Sequence, residues 1–363
     1  MKRIFAGMAA ALLAAVLFFP CKVNALSAEK AILMDAATGR VLYEKNAAER
    51  SLIASTTKIM TALIVCEQCN VLDRMEIPKE AVGIEGSSMY LKEGEVLTIQ
   101  ELLYGLMLHS GNDAATALAI YCGGTVEGFV QLMNDKAHRL GLADTHFENP
   151  HGLDSPGHYS TAKDLAVLGA IAMENPIIRQ TVSTKSLKAG TRHLTNHNKL
   201  LWRIEGADGI KTGYTKAAGR ILVSSATKDG RRLVAVTINA PRDWNDHESL
   251  YSVGFRDFTL RRIVDAGEVL GTAEVESGRE KSVDLVAEEG FTYPLKPQEK
   301  VTIRLQRPGF VYAPVEENAF AGYAYICVDG NSVGKVRLVY SDTVMERKPA
   351  KKSFLKKLFG EGL

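Results

Sequence analysis

The chain has 363 residues, 46% hydrophobic and 24% charged, an ordinary globular composition that supplies a sizeable core and excludes a chain without a packed interior. That length favours more than one domain. The formal charge of +2 gives no electrostatic case for a polyanion, and no nucleic acid is expected as a partner.

Lys2 and Arg3 precede an apolar run from Ile4 to Phe19, and Val23-Asn24-Ala25 places small residues where a signal peptidase reads. Residues 1–25 are expected to be a cleaved export signal, since a membrane span would be longer. Cys21 follows Phe18-Phe19-Pro20, a poor lipidation context, and leaves with the signal. Export puts Cys66, Cys69, Cys122 and Cys327 where disulfides can form. Cys66-Glu67-Gln68-Cys69 has metal or redox spacing but no second pair or His cluster beside it. Packing thiols and a disulfide both remain open there.

Strands are expected at Ala31–Met34 and Val41–Tyr43 around Thr38-Gly39. Thr57–Cys66 is apolar nearly all round and should be a buried helix, followed by helices over Leu97–Leu108, Ala114–Tyr121 and Val126–Leu140. Ile221–Val223 and Leu233–Ile238 flank Lys228-Asp229-Gly230 as a hairpin. The pattern predicts an α+β domain in which one antiparallel sheet, built from both ends of the segment, is backed by a helical cluster. After Arg256, short alternating runs such as Lys300–Leu305 and Lys335–Tyr340, separated by Gly, Pro and Asp-Gly, predict a small all-β domain ending near Val344. Lys351–Phe359 forms one oily and one cationic face on a helix, suited to an anionic membrane surface; the plainer reading is a solvated basic tail. The expected divisions are 1–25, 26–255, 256–345 and 346–363.

Three motifs carry chemistry. Ser55-Thr56-Thr57-Lys58 opens the buried helix, where the three-residue spacing puts Lys58 on the face of Ser55 and partly out of water. Burial and a second cation would lower the lysine until it acts as a base, and the helix start offers the Ser55 N–H to an oxyanion. Ser-x-x-Lys recurs at Ser27, Ser160, Ser225, Ser332 and Ser353, so only its context selects Ser55, and alone it reads as a helix cap. Ser110-Gly111-Asn112 joins two helices and would push a hydroxyl and an amide into a cleft. Lys211-Thr212-Gly213, as a strand edge, would present a cation and a hydroxyl to a carboxylate, with Gly213 leaving room for a substrate backbone. The set equips a covalent acyl transfer. No metal and no cofactor is expected.

With Gly86-Ser87-Ser88-Met89 and Asn149-Pro150-His151-Gly152-Leu153-Asp154, these motifs make the chain resemble the serine-type D-Ala-D-Ala carboxypeptidases, the low-molecular-mass penicillin-binding proteins, over almost its whole length. The resemblance implies a β-lactamase/transpeptidase-like domain, a β-rich C-terminal domain and an amphipathic C-terminal helix anchoring the chain outside the cytoplasmic membrane. It implies Ser55 as nucleophile, Lys58 as general base and Ser110 as proton relay. Asn112 would hold the substrate amide, Lys211 would supply positive potential and Thr212 would bind the terminal carboxylate. The N–H groups of Ser55 and Tyr214 would form the oxyanion hole. The implied partners are peptidoglycan stem peptides and, as covalent inhibitors, β-lactams. His151 borders the cleft in relatives. Where some relatives carry Asn-Arg-Asn, this chain has Asn196-His197-Asn198, so His197 and Arg242 enter as further candidates for the carboxylate. A serine β-lactamase shares the motifs but needs a deacylating carboxylate, which Glu148 does not resemble; a non-enzymatic wall-binding protein would tolerate loss of Lys58, Ser110 or Lys211.

Overall fold

The computed structural model describes residues 25–189 and 191–348. Apart from Ala25, the expected export signal lies outside the described residues, as does the expected tail beyond Lys348. The described residues form two units divided between Asp257 and Phe258, two residues past the expected boundary, because the last helix of the first unit runs through Asp257.

The first unit begins with β1 (Lys30–Asp35) and β2 (Val41–Lys45), then a 3-10 turn (Ala54–Thr57) leading into α1 (Lys58–Gln68). Lys58 to Val65 are all buried, as an apolar circumference requires. A small hairpin of β3 (Arg74–Glu76) and β4 (Val96–Thr98) precedes α2 (Ile99–Leu108). The helix expected from Leu97 starts two residues later because Thr98 caps it: its hydroxyl accepts from Glu101 N at 3.1 Å while Glu101 accepts from Thr98 N at 2.8 Å. Next come α3 (Asn112–Gly123) and α4 (Val126–Arg139). Cys66, Cys69 and Cys122 stand as thiols packed on the core around the ends of α1 and α3.

Elements absent from the sequence reading fill the middle of the unit: α5 (Ala162–Glu174), α6 (Pro176–Ser183), a hairpin of β5 (Ser186–Ala189) and β6 (Arg192–Thr195), and the short α7 (Leu200–Arg203). β7 (Ala207–Thr215), β8 (Gly219–Lys228) and β9 (Arg231–Ile238) follow, then α8 (Asp243–Asp257). The five-stranded sheet has the order β2-β1-β9-β8-β7, so both ends of the unit build it and β7 is an edge. Asp229 (φ 51°) and Gly230 (φ 76°) make the tight turn between β8 and β9.

The central strands are apolar on both faces because helices cover both. Gly169 of α5 lies against Ile210, Val223 and Val234, and Gly254 of α8 against Leu33 and Leu233. Neighbouring residues 233 and 234 point to opposite faces, so the two helices sandwich the sheet. One buried ion pair fastens it: Arg231 Nε sits 2.7 Å from Asp35 Oδ2, with the two side chains 9% and 1% exposed.

The second unit pairs β10 (Thr259–Val264) with β13 (Phe291–Leu295). A six-stranded sheet runs β14-β16-β17-β12-β11-β15, built from β11 (Val269–Glu276), β12 (Ser282–Ala287), β14 (Val301–Gln306), β15 (Phe310–Tyr312), β16 (Phe320–Val328) and β17 (Asn331–Tyr340). It extends beyond residue 345: Gly278 bridges to Glu346, and Arg347 N donates to the Ser277 carbonyl.

Replacing Asp35 by Ala takes the carboxylate partner from a buried guanidinium, and the expected loss is about 3–5 kcal/mol of unfolding free energy. Denaturant titration checks it, and a loss below about 1 kcal/mol, the level of a surface pair, contradicts it.

Candidate active site

The three motifs converge on one cleft of about 550 Å³ in the first unit, lined among others by Ser55, Ser87, Ser110, His197, Thr212, Gly213 and Tyr214. A larger cavity of about 1020 Å³ elsewhere in the unit, bounded by Arg203, Glu205, Tyr251 and Phe255, holds none of the motif residues.

Ser55 sits half-buried in the 3-10 turn, and Lys58 is the first residue of α1, one turn on and wholly buried. Lys58 Nζ makes three contacts: Ser55 Oγ at 2.9 Å, Asn112 Oδ1 at 2.7 Å and the His151 carbonyl at 2.6 Å. Two of these partners can only accept. A neutral amine has two N–H bonds and one lone pair, so the two acceptors take its hydrogens and the lone pair is left facing the serine hydroxyl. Burial first, then the Lys211 ammonium, hold Lys58 well below the ordinary lysine value, against the opposing pull of Asp113.

The partners of Lys58 are themselves fixed. Asn112 Nδ2 donates to the Glu85 carbonyl at 2.5 Å, which sets the amide so that Oδ1 faces the lysine. Asn112, expected to hold a substrate amide, also orients Lys58, and its Nδ2 keeps a second hydrogen beyond the one given to Glu85. Next to it, the buried Asp113 carboxylate takes Ser88 Oγ at 2.6 Å and the N–H groups of Met89 and Leu91, tying the Gly86–Met89 segment to the start of α3.

His151 contributes its carbonyl. Its ring accepts from Leu153 N at 3.2 Å and is kept neutral at physiological pH, brought to about 3 by burial and by Lys58. Gly152 lets this loop close on the nucleophile. It has φ 89°, and a Cβ there would fall 1.9 Å from the Ala54 carbonyl oxygen. Asn149 Oδ1 accepts from Gly152 N at 2.7 Å, and Thr61 Oγ1 donates to the Pro150 carbonyl at 2.6 Å.

Ser110 stands between α2 and α3 with φ 63°, a region that costs a non-glycine residue energy and is met at functional sites. Lys211 on β7 is 1% exposed and donates to the Thr212 carbonyl at 2.9 Å; burial brings it down to about 7. Gly213, expected to leave room for a substrate backbone, faces the nucleophile's turn. A Cβ there would lie 3.3 Å from Ser55 N and from the Ile53 carbonyl, so the missing side chain keeps open the space in front of the nucleophile's own N–H.

His197 lines the cleft, its ring 5.2 Å from that of His109 and accessible on one side. Partial burial, then Lys211, hold it down to about 4, so it is uncharged at neutral pH. Arg242 is a correction. It is exposed, its N–H donates to Ser27 Oγ at 2.9 Å, and it does not line the cleft. Arg220, Asp243 and Trp244 do, and sequence reasoning missed them. The available signal was the hairpin: a tight return after Lys211-Thr212-Gly213 must set a residue of the next strand opposite Tyr214, and that residue is Arg220. Among the other Ser-x-x-Lys strings, Ser225/Lys228 and Ser332/Lys335 lie on strands, and Lys163 is exposed.

A family profile described as D-alanyl-D-alanine carboxypeptidase matches residues 19–242, and one described as penicillin-binding protein 5, C-terminal domain, matches residues 258–346. The chain is 31% identical over 350 residues to the D-alanyl-D-alanine carboxypeptidase DacF of Bacillus subtilis, covering 92% of this chain and 90% of that protein. It is 35% identical over 335 residues to DacC of Escherichia coli, covering 87% and 84%. Among solved structures, penicillin binding protein 5 from Haemophilus influenzae superposes with a TM-score of 0.78 at 30% identity, covering 89% of this chain and 99% of that one. The motifs, their convergence on one cleft and these matches agree: the chain belongs to the D-alanyl-D-alanine carboxypeptidase family, the serine-type, low-molecular-mass penicillin-binding proteins.

Proposed function

We propose that the chain removes the terminal D-alanine from peptidoglycan stem pentapeptides through an acyl-enzyme on Ser55. The observation that carries this reading is the 2.9 Å contact of Lys58 Nζ with Ser55 Oγ, made by an amine whose other two partners only accept. The Ser55 proton passes to the Lys58 lone pair as Oγ bonds to the carbonyl carbon of the penultimate D-alanine. The resulting oxyanion lies between the N–H groups of Ser55 and Tyr214, in the space that Gly213 leaves open. As the C–N bond breaks, the Ser110 hydroxyl passes its proton to the departing D-alanine nitrogen and is reprotonated from the Lys58 ammonium, which leaves Lys58 neutral again. Lys58 then takes a proton from the water that attacks the ester carbonyl and returns it to Ser55 Oγ as the ester bond breaks. Lys211 keeps positive potential beside Ser110, and Thr212 donates to the substrate's terminal carboxylate. A β-lactam reacts by the same first step, but its leaving nitrogen stays tethered and the acyl-enzyme persists.

Glu148 speaks against a β-lactamase. It is absent from the cleft lining, and its carboxylate is engaged by Ser155 Oγ and Gly157 N. The apolar leader over residues 1–25 and the basic amphipathic run Lys351–Phe359 support an extracytoplasmic enzyme held reversibly at the membrane surface.

Ser55→Ala is expected to reduce release of free D-alanine from a pentapeptide ending in D-Ala-D-Ala by at least about 10⁴-fold. Release that persists in the variant would remove Ser55 as nucleophile, and rapid penicillin turnover without D-alanine release would favour the lactamase. The pH profile of penicillin acylation gives a second test. Lys58 must be neutral, and the Lys211 ammonium lowers it, so Lys211→Met should raise Lys58 and move the acid limb to higher pH. An unmoved limb, or one displaced to lower pH, contradicts the coupling. Removing residues 349–363 should free the protein from anionic vesicles with D-alanine release intact; retained vesicle binding would exclude the tail as anchor.

A further inference from the structure

A hydroxyl alone does not neutralise a carboxylate, and the cations proposed to assist Thr212 are unsuited to it. His197 is uncharged at neutral pH, Arg242 is outside the cleft, and Lys211 is buried with its ammonium on the Thr212 carbonyl. Arg220 is differently placed. It lies on β8 in register with Tyr214, while Thr212 pairs with Leu222. Thr212, Tyr214 and Arg220 therefore share one face of the sheet, with Arg220 diagonal to Thr212 across the strands, roughly 7–8 Å between backbones and within reach of a long side chain.

The guanidinium is held in place from behind. Nε lies 3.1 Å from Asp243 Oδ2, and Nη2 lies 3.0 and 2.8 Å from the two Asp243 oxygens. Asp243 is 2% exposed, and the Trp244 ring centre is 5.5 Å from the guanidinium carbon. Nη1 makes no hydrogen bond to the described residues, while the Arg220 side chain is 42% exposed. Five N–H donors in a planar fork allow an arginine to serve one carboxylate from inside and a second from outside.

We propose that Arg220, oriented by Asp243 and Trp244, is the charged receptor for the terminal carboxylate of the substrate, with Nη1 and the Thr212 hydroxyl donating to its oxygens. The assignment rests on the reading of the cleft as a D-Ala-D-Ala carboxypeptidase site and names the residue that fixes its preference for a free C-terminus. Arg220 is a binding group, and Asp243 positions it.

The test compares free-acid and blocked substrates. For Arg220→Gln, kcat/KM on a peptide ending in D-Ala-D-Ala should fall about 10- to 100-fold, the scale of one charge-assisted hydrogen bond, mostly through KM. The slow reaction of the same peptide as its C-terminal amide should be unchanged. Penicillin and its methyl ester should show the same contrast in acylation rate. Arg220→Lys should recover part of the loss, and Arg242→Ala should lose nothing on either form. Equal losses on acid and blocked forms would make Arg220 structural, and full activity of Arg220→Gln on the acid would remove it from binding. If the wild type acylates with penicillin in an Arg220-dependent, acid-selective way yet releases no D-alanine, the receptor stands and the carboxypeptidase reading falls.

Discussion

Lys58 is shut off from bulk solvent in its resting position. Its side chain is wholly buried, its partners are two acceptor oxygens and one hydroxyl, and a second buried lysine shares the cleft. Charging it would put two ammonium groups in one low-dielectric space and would leave no lone pair facing Ser55. The neutral form satisfies every partner at once. Much of what surrounds it keeps that arrangement: Glu85 fixes Asn112, Asn149 and Thr61 fix the His151 carbonyl, and Asp113 ties down the neighbouring segment. A polar network buried this deeply works only when each member is paired.

The backbone carries the cost of the same arrangement. Ala54 and Ser110, flanking the reacting groups from two different elements, have φ of 44° and 63°, and the loop at Gly152 approaches the nucleophile's turn more closely than any side chain allows. There is an electrostatic cost as well. Lys211, at about 7 in the fold against about 10.4 in an open chain, binds its proton less well when folded. Its burial therefore weakens the fold fully below pH 7, and that penalty is relieved as pH rises toward 10.

The site was largely legible in the sequence because its chemistry is local. Ser55 and Lys58 are one helical turn apart, Ser110 and Asn112 two residues apart, and Lys211 to Tyr214 contiguous, so each motif brings its own groups together locally. What escaped were relations between distant residues. Gly213 was read as clearance for substrate; that the clearance borders Ser55 N, more than 150 residues earlier in the chain, shows only in the fold. Asn112 was read as a substrate contact; its second use, orienting Lys58 from the Glu85 carbonyl, shows only in the fold. Arg220 was signalled only by the tight return after Lys211-Thr212-Gly213, which carries no motif of its own, whereas Arg242 has the right charge on an exposed turn. The strands at the two ends of the unit were readable from short apolar runs and from the Thr38-Gly39 and Asp229-Gly230 turns. By contrast α5, α6 and α8 were not, since their order is set by packing on both faces of a sheet assembled from the two ends of the unit.

The protonation state of Lys58 is the claim from which the mechanism follows, and it can be observed directly. Heteronuclear NMR titration of lysine-labelled protein, with the Lys58 resonance identified by its loss in Lys58→Met, reads the side-chain pKa of the resting enzyme. The account predicts an amine already neutral at pH 7, far below the ordinary lysine range. A Lys58 that stays charged up to pH 10 would contradict it, because the lone pair that takes the Ser55 proton would then be absent.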